Sequence, residues 1–186
     1  MELLKLYIRN LLENKNNFLY HGSKYKFSKF VLDYVNFDAN NQLGPGIYLT
    51  NDPKEARNYS YPDGYVYKLN LINTSNLVPK DIEINQDQIE QLLKSAPDLT
   101  GSLSDWDEDP KEAYKMLLDS ILNNDDMTEA LQSVWIETYK QKEKDFCSNC
   151  IKVGIDGIIV QTGSSTHYVL YNPSIIQIVG SKQLKK

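Results

Sequence analysis

Three short segments carry residue types that do chemistry. They are Tyr-His-Gly-Ser at 20–23, Gly-Pro-Gly-Ile-Tyr-Leu-Thr at 44–50 with Ala-Arg-Asn-Tyr-Ser at 56–60, and the run from His167 to Ile178. His21 and His167 are the two histidines of the chain, and imidazole is the side chain that exchanges protons near neutral pH. Gly22 follows His21, and a residue without a Cβ lets a ligand come close to backbone N–H and C=O groups. Tyr48 and Tyr59 lie 11 residues apart, joined by a turn into a short helix, so two tyrosine faces can sandwich a flat cationic ring. Each segment is common on its own, and most of the 13 tyrosines must serve packing.

The elements that would position these residues follow from pattern. Phe18 to Tyr20 reads as a strand running into a turn. Phe27, Phe30, Tyr34 and Phe37 are spaced to anchor a loop or a short helix. Gly44, Pro45 and Gly46 make a turn before a strand from Ile47 to Thr50. Asp52 is an N-cap with Pro53 at the first helical position, and the helix runs to Tyr59. Tyr65 to Ile72 alternates as a strand with Tyr65 and Tyr67 on one side. From about 81 to 150 the chain is charged, poor in glycine and periodic at helical spacing. That spacing predicts one helix marked by Ile89, Leu92 and Leu93, a second from Asp109 and Pro110 to Leu122, and a third from Met127 to about Phe146. Asp156 and Gly157 form a turn before the β-branched Ile158 to Val160. His167 to Tyr171 and Ile175 to Val179 are further strands, with the tail frayed from Ser181. At the other end, Leu3, Leu4, Leu6, Tyr7, Ile8, Leu11 and Leu12 predict an amphipathic helix.

The composition narrows the function classes. At 186 residues, 41% of them hydrophobic, the chain has the size of one domain with a sizeable core. Its net charge of −5 leaves no basic footprint for nonspecific phosphate binding. No apolar run reaches the roughly 20 residues that span a bilayer. Glu2, Lys5, Arg9 and Glu13 interrupt any signal-peptide core, so the expected location is cytoplasmic, with no membrane partner. Cys147 and Cys150 form a single CxxC without the further ligands of a structural zinc site. At what reads as the fraying end of a charged helix, they are expected to be plain thiols, and no metal is expected.

Taken together and in order, the three segments resemble the ADP-ribosyltransferases of the His-Tyr-Glu type, a family that includes diphtheria-like toxins and the poly(ADP-ribose) polymerases. The resemblance covers about 90 residues and leaves out the block from 81 to 150. It implies an α+β fold in which two small antiparallel sheets flank an NAD cleft, with an N-terminal helix and a helical insertion, all in a single domain over 1–186. It implies NAD as co-substrate and a macromolecular acceptor, protein ahead of nucleic acid. His21 would hydrogen-bond a ribose, Gly22 would hold the nicotinamide carboxamide through its backbone, and Ser23 would add a contact. Tyr48 would stack on the nicotinamide, with Tyr59 opposite.

NAD joins ribose to a cationic leaving group through a C–N bond, so its cleavage calls for little acid catalysis. The site must stabilise an oxocarbenium-like ribose as nicotinamide departs, chiefly by orientation and electrostatics. The family's third motif brings a glutamate for that purpose, and here the register of the last segment puts His167 in its place. A neutral imidazole accepts a hydrogen bond and brings no negative charge. Losing a charged acceptor costs about 1.5 to 3 kcal/mol. Were His21 and His167 to face one pocket, each would oppose protonation of the other.

The expected function is mono-ADP-ribosyl transfer, with His21, Tyr48 and His167 catalytic and His21, Gly22, Ser23, Tyr48 and Tyr59 holding NAD. Asp156, Asp105 or Asp107 are candidate substitutes for the missing carboxylate, although Asp156 also reads as an ordinary turn residue. The alternative is a catalytically degenerate module that binds NAD, ADP-ribose or a protein. A tRNA 2′-phosphotransferase would want two arginines beside two histidines, and Arg9 and Arg57 are the only arginines. The helical block is a covering layer around buried Trp106 and Trp135, or else a lid that docks the target.

Overall fold

A computed structural model of the chain describes residues 18–34, 43–97, 99–104, 109–139 and 142–184, apart from the side chains at 100, 102 and 104. The expected helix through Leu3–Leu12, and the places of Phe37, Asp105, Trp106 and Asp107, lie outside the described residues.

The first half is built of strands β1 (Leu19–Ser23), β2 (Ile47–Thr50) and β3 (Tyr65–Leu71), with the short helix α1 (Pro53–Asn58) between the last two. Asp52 caps α1, its carboxylate accepting from Lys54 N–H at 2.8 Å, and Pro53 opens it. Strand β4 (Leu77–Pro79) was not predicted. It is three residues long and ends in proline, too short to show a period. The helices α2 (Gln86–Lys94), α3 (Leu99–Ser104), α4 (Pro110–Leu122), α5 (Met127–Val134) and α6 (Glu143–Lys152) follow, then β5 (Gly157–Thr162), β6 (Ser165–Leu170) and β7 (Ile176–Gln183).

The strands form a single sheet in the order β4-β5-β6-β2-β1-β3-β7. The class is α+β, and the two separate sheets of the expectation are joined by hydrogen bonding. The join is narrow: β1 and β2 pair only at Tyr20 opposite Thr50, against five positions between β1 and β3 and four between β2 and β6. The helical block has a topological reason. β4 and β5 are parallel, and parallel neighbours require a long crossover, which the segment from α2 to α6 supplies.

Each face of the sheet has its own core. On one, Ile158, Val160 and Val169 pack with Ile89, Leu92, Leu131 and Phe146 of the helices. On the other, Leu19, Leu49, Tyr67, Leu69, Tyr168 and Leu170 form a second cluster, with Phe27 and Phe30 against it. Trp135 is buried in the first, as expected.

Three expectations are corrected. The helix predicted from Met127 to Phe146 is broken: after Val134 the backbone widens into a π-turn over Trp135–Tyr139, and α6 begins afresh at Glu143. Thr138 Oγ1–H donates to Val134 C=O at 2.8 Å, a side-chain bond of the kind that bends helices. Cys147 and Cys150 therefore lie inside α6 and not at a fraying end. Both are buried and unpaired, and burial pushes the Cys147 thiol up to about 12. The tail is not frayed at Ser181 either, because β7 continues to Gln183, with Ser181 opposite Tyr67 and Gln183 opposite Tyr65.

Candidate functional site

His21 stands where β1 parts from β2. Its Nδ1 lies 2.8 Å from the backbone oxygen of Tyr48. A carbonyl only accepts, so Nδ1 carries the hydrogen and the neutral ring keeps its lone pair on Nε2. The ring packs edge-on against Phe30, at 5.2 Å between centroids, and lies near Phe27 and Tyr67. Burial lowers its pKa, partly opposed by the bond to Tyr48, so the imidazole is neutral at pH 7. The first two motifs are thus tied together by one hydrogen bond, with an acceptor nitrogen to spare.

Gly22 is needed for a reason that sequence reading missed. A Cβ there would run into the carbonyl oxygen of Ala56 and come within 2.9 Å of Ser60 N. Helix α1 lies directly on the backbone of β1, with Ala56 buried at the contact. Gly64 is pressed in the same way against Ser60 and Ser23. The glycine after His21 is therefore required by helix packing, whatever a ligand does at its N–H and C=O.

Tyr48 is half-buried against the helix-side core, and its hydroxyl donates to Gly44 C=O at 2.6 Å. Burial raises its pKa, and the nearby phenol of Tyr59 adds to the shift. Tyr59 ends α1 with 64% of its surface exposed. The two tyrosines are near one another, and alternation with Thr50 puts the Tyr48 side chain on the helix side of the sheet, the opposite face from His21. Ser23 Oγ accepts from Tyr25 N–H at 3.1 Å, which leaves its O–H able to donate.

His167 is not paired with His21. Tyr20, Thr50, His167 and Val160 stand opposite one another across β1, β2, β6 and β5, so they share a face. Strand alternation puts His21 on the other. Mutual repulsion between the histidines therefore has no place in this fold. His167 instead has a carboxylate: its Nε2 lies 3.2 Å from Glu55 Oε1. The other oxygen of Glu55 accepts from Thr50 Oγ1–H at 2.7 Å. Asn51 holds the start of β6, its Oδ1 accepting from Thr166 N–H at 2.9 Å.

Glu55 was missed because it sits three residues after the N-cap Asp52, where a glutamate reads as half of a capping box. Here the N–H of Asp52 is satisfied by Thr50 Oγ1 at 3.1 Å. Thr50 takes over the capping contact, and Glu55 is released to reach β6. Asp156 is no substitute acid. It is buried at the far end of β5, where its carboxylate accepts from Asn172 Nδ2 at 2.6 Å and its backbone oxygen from Tyr171 and Asn172 N–H. Compared with protein-family models, curated proteins and solved structures, the chain matches none.

Proposed function

We propose that this chain is a mono-ADP-ribosyltransferase, which cleaves NAD at the nicotinamide–ribose bond and passes ADP-ribose to a macromolecule. The observation that carries the reading is the bond from His21 Nδ1 to the Tyr48 carbonyl. It brings the first and second motifs together and fixes the tautomer that leaves Nε2 an acceptor. His21 Nε2 accepts a ribose hydroxyl. Gly22, beside it on β1, offers main-chain groups to the carboxamide where β1 parts from β2, and Tyr48, whose ring lies on the helix side of the sheet with Tyr59 near it, meets the nicotinamide across that gap.

A bond between ribose and a cationic leaving group breaks when the ribose is held still and its developing charge is tolerated. A neutral His21 among Phe27, Phe30 and Tyr67 adds no positive charge to oppose that. One observation favours a second reading, binding without chemistry: β6 carries His167 where the resembled family has a carboxylate.

Incubating the purified protein with labelled NAD in cell lysate separates the two. Transfer puts label on a macromolecule, and His21→Ala and Tyr48→Ala abolish it; label that persists in both variants overturns the assignment of the pocket. A binding module raises its melting temperature with NAD, by linkage, and releases no nicotinamide.

A further inference from the structure

We propose that Tyr25, Lys24 and Tyr61 form a landing surface for single-stranded nucleic acid. Such binding does not require that the chain cleave NAD. Tyr25 and Tyr61 are 69% and 64% exposed. Lys24 joins them, its Nζ 5.6 Å from the centroid of the first ring and 5.8 Å from that of the second. Two π faces with a cation between them match a strand in which bases and phosphates alternate.

Both rings stand on fixed backbone. Tyr25 N–H donates to Ser23 Oγ, and its C=O accepts from the Tyr67 hydroxyl at 3.2 Å. Tyr67 is stacked on Phe27 and lies near His21, so the surface begins at the edge of the pocket. Tyr61 is held at a φ of 60°, a region in which a bulky residue is an outlier, and Pro62 restricts its backbone further. Its carbonyl closes the turn, accepting from Gly64 N–H at 3.2 Å. A glycine or asparagine would make that turn without strain. A tyrosine kept there with its ring in solvent points to recognition.

The net charge is −5, yet it is unevenly spread. The segment 24–30 exposes Lys24, Lys26 and Lys29 and contains no carboxylate. Asp33 beyond it is taken by Lys144, and the 60–64 turn adds Asp63 alone. The patch is cationic on an acidic chain, as an anionic strand requires. The rings select unpaired bases, because bases stacked within a duplex offer no face to a tyrosine. An acidic peptide would satisfy the lysines without using the tyrosine faces.

Fluorescent oligo-dT and oligo-rU of about 12 nucleotides, a duplex of the same length and a poly-glutamate peptide are each titrated with the full chain in the absence of NAD. One or both single strands should bind, the tighter naming DNA or RNA, and the duplex about tenfold more weakly or worse. Tyr25→Ala and Tyr61→Ala should each weaken binding about tenfold, and Tyr25→Phe less than about threefold. Affinity should fall with salt at a log–log slope of about 2, roughly 0.7 for each of three lysines. Tyr61→Asn should also weaken binding, while relief of strain keeps its urea midpoint no lower than that of wild type, so that lost binding is not lost folding. Single strands bound by Tyr25→Ala and Tyr61→Ala as tightly as by wild type, or a duplex bound equally well, overturn the surface. Binding of the peptide alone gives the patch to an acidic protein and overturns it too, as does binding of none of the probes. Nicotinamide release, followed separately, decides the transferase reading and is untouched by these outcomes.

Discussion

The two histidines occupy opposite faces of one sheet and opposite kinds of surroundings. His21 is packed among Phe27, Phe30 and Tyr67, and its hydrogen-bond partner is a backbone oxygen. His167 meets a side-chain carboxylate, itself steadied by a threonine. Aromatic burial makes the first a neutral, fixed acceptor. The second is a ring whose Nε2 lies against an anionic partner. The same side chain thus meets a backbone oxygen among aromatic rings on one face and a carboxylate on the other, and what sets the two apart is the packing of α1 and of the 24–30 loop.

The comparison breaks most completely at Gly22. Any Cβ there collides with the Ala56 carbonyl, so Gly22→Val must lift α1 from β1 and carry Glu55 away from His167. A loss of about 3 kcal/mol or more is expected, read as a lower urea midpoint or failure to fold. The two faces also differ in depth. Phe146 is 1% exposed and meets Trp135, Tyr139 and Tyr171 edge-on. Phe146→Ala is expected to cost about 3 to 5 kcal/mol. Phe27→Ala, on the face of His21, removes a half-buried ring and should cost less. Equal losses by urea titration would mean that the two cores are equally deep.

Much of this was legible before the structure. Asp52 and Pro53 announce α1 by local chemistry, and the alternation from Tyr65 names β3 to within a residue. Gly44 to Thr50 is turn and strand as read, and the strand through Ile158 to Val160 is found, although the turn before it falls at Val153 and Gly154 and Gly157 already belongs to β5. What was not legible depends on partners distant in sequence. Glu55 looks like a cap because Thr50 and His167 meet it only after β2 and β6 pair. Gly22 looks like a ligand site because nothing local shows that Ala56 will lie on it. The broken third helix keeps its apolar spacing through Trp135 and Tyr139, and the π-turn shows only in the backbone. The opposed faces of the histidines need a register, and spacing along the chain contains none.

A smaller effect sharpens the contrast through pH. His21 has its pKa lowered by burial from an ordinary 6.5. Between that value and the lowered folded one, the unfolded chain binds a proton that the folded chain does not. Stability from this group is therefore complete above pH 6.5 and lost on acidification, by at most about 1.4 kcal/mol per pH unit. Urea midpoints at pH 7, 6 and 5 should fall more steeply for wild type than for His21→Gln. Phe30→Ala, which opens the ring to water, should flatten the slope part of the way. Parallel lines for wild type and His21→Gln would show that burial on this face does not govern the imidazole.

The smallest effect separates what Tyr48 does by its ring from what it does by its backbone. Tyr48→Phe deletes the 2.6 Å bond to Gly44 and should cost about 1 kcal/mol by urea titration. The oxygen that holds His21 belongs to the peptide of residue 48, so the pH slope of the wild type should survive the change. The ring also survives, and NAD affinity should stay within about twofold, where Tyr48→Ala loses it. A weakened slope in Tyr48→Phe would mean that the hydroxyl, through the Gly44 turn, sets the position of β2 against His21. In that case the two motifs are coupled through the side chain of Tyr48 as well as through its carbonyl.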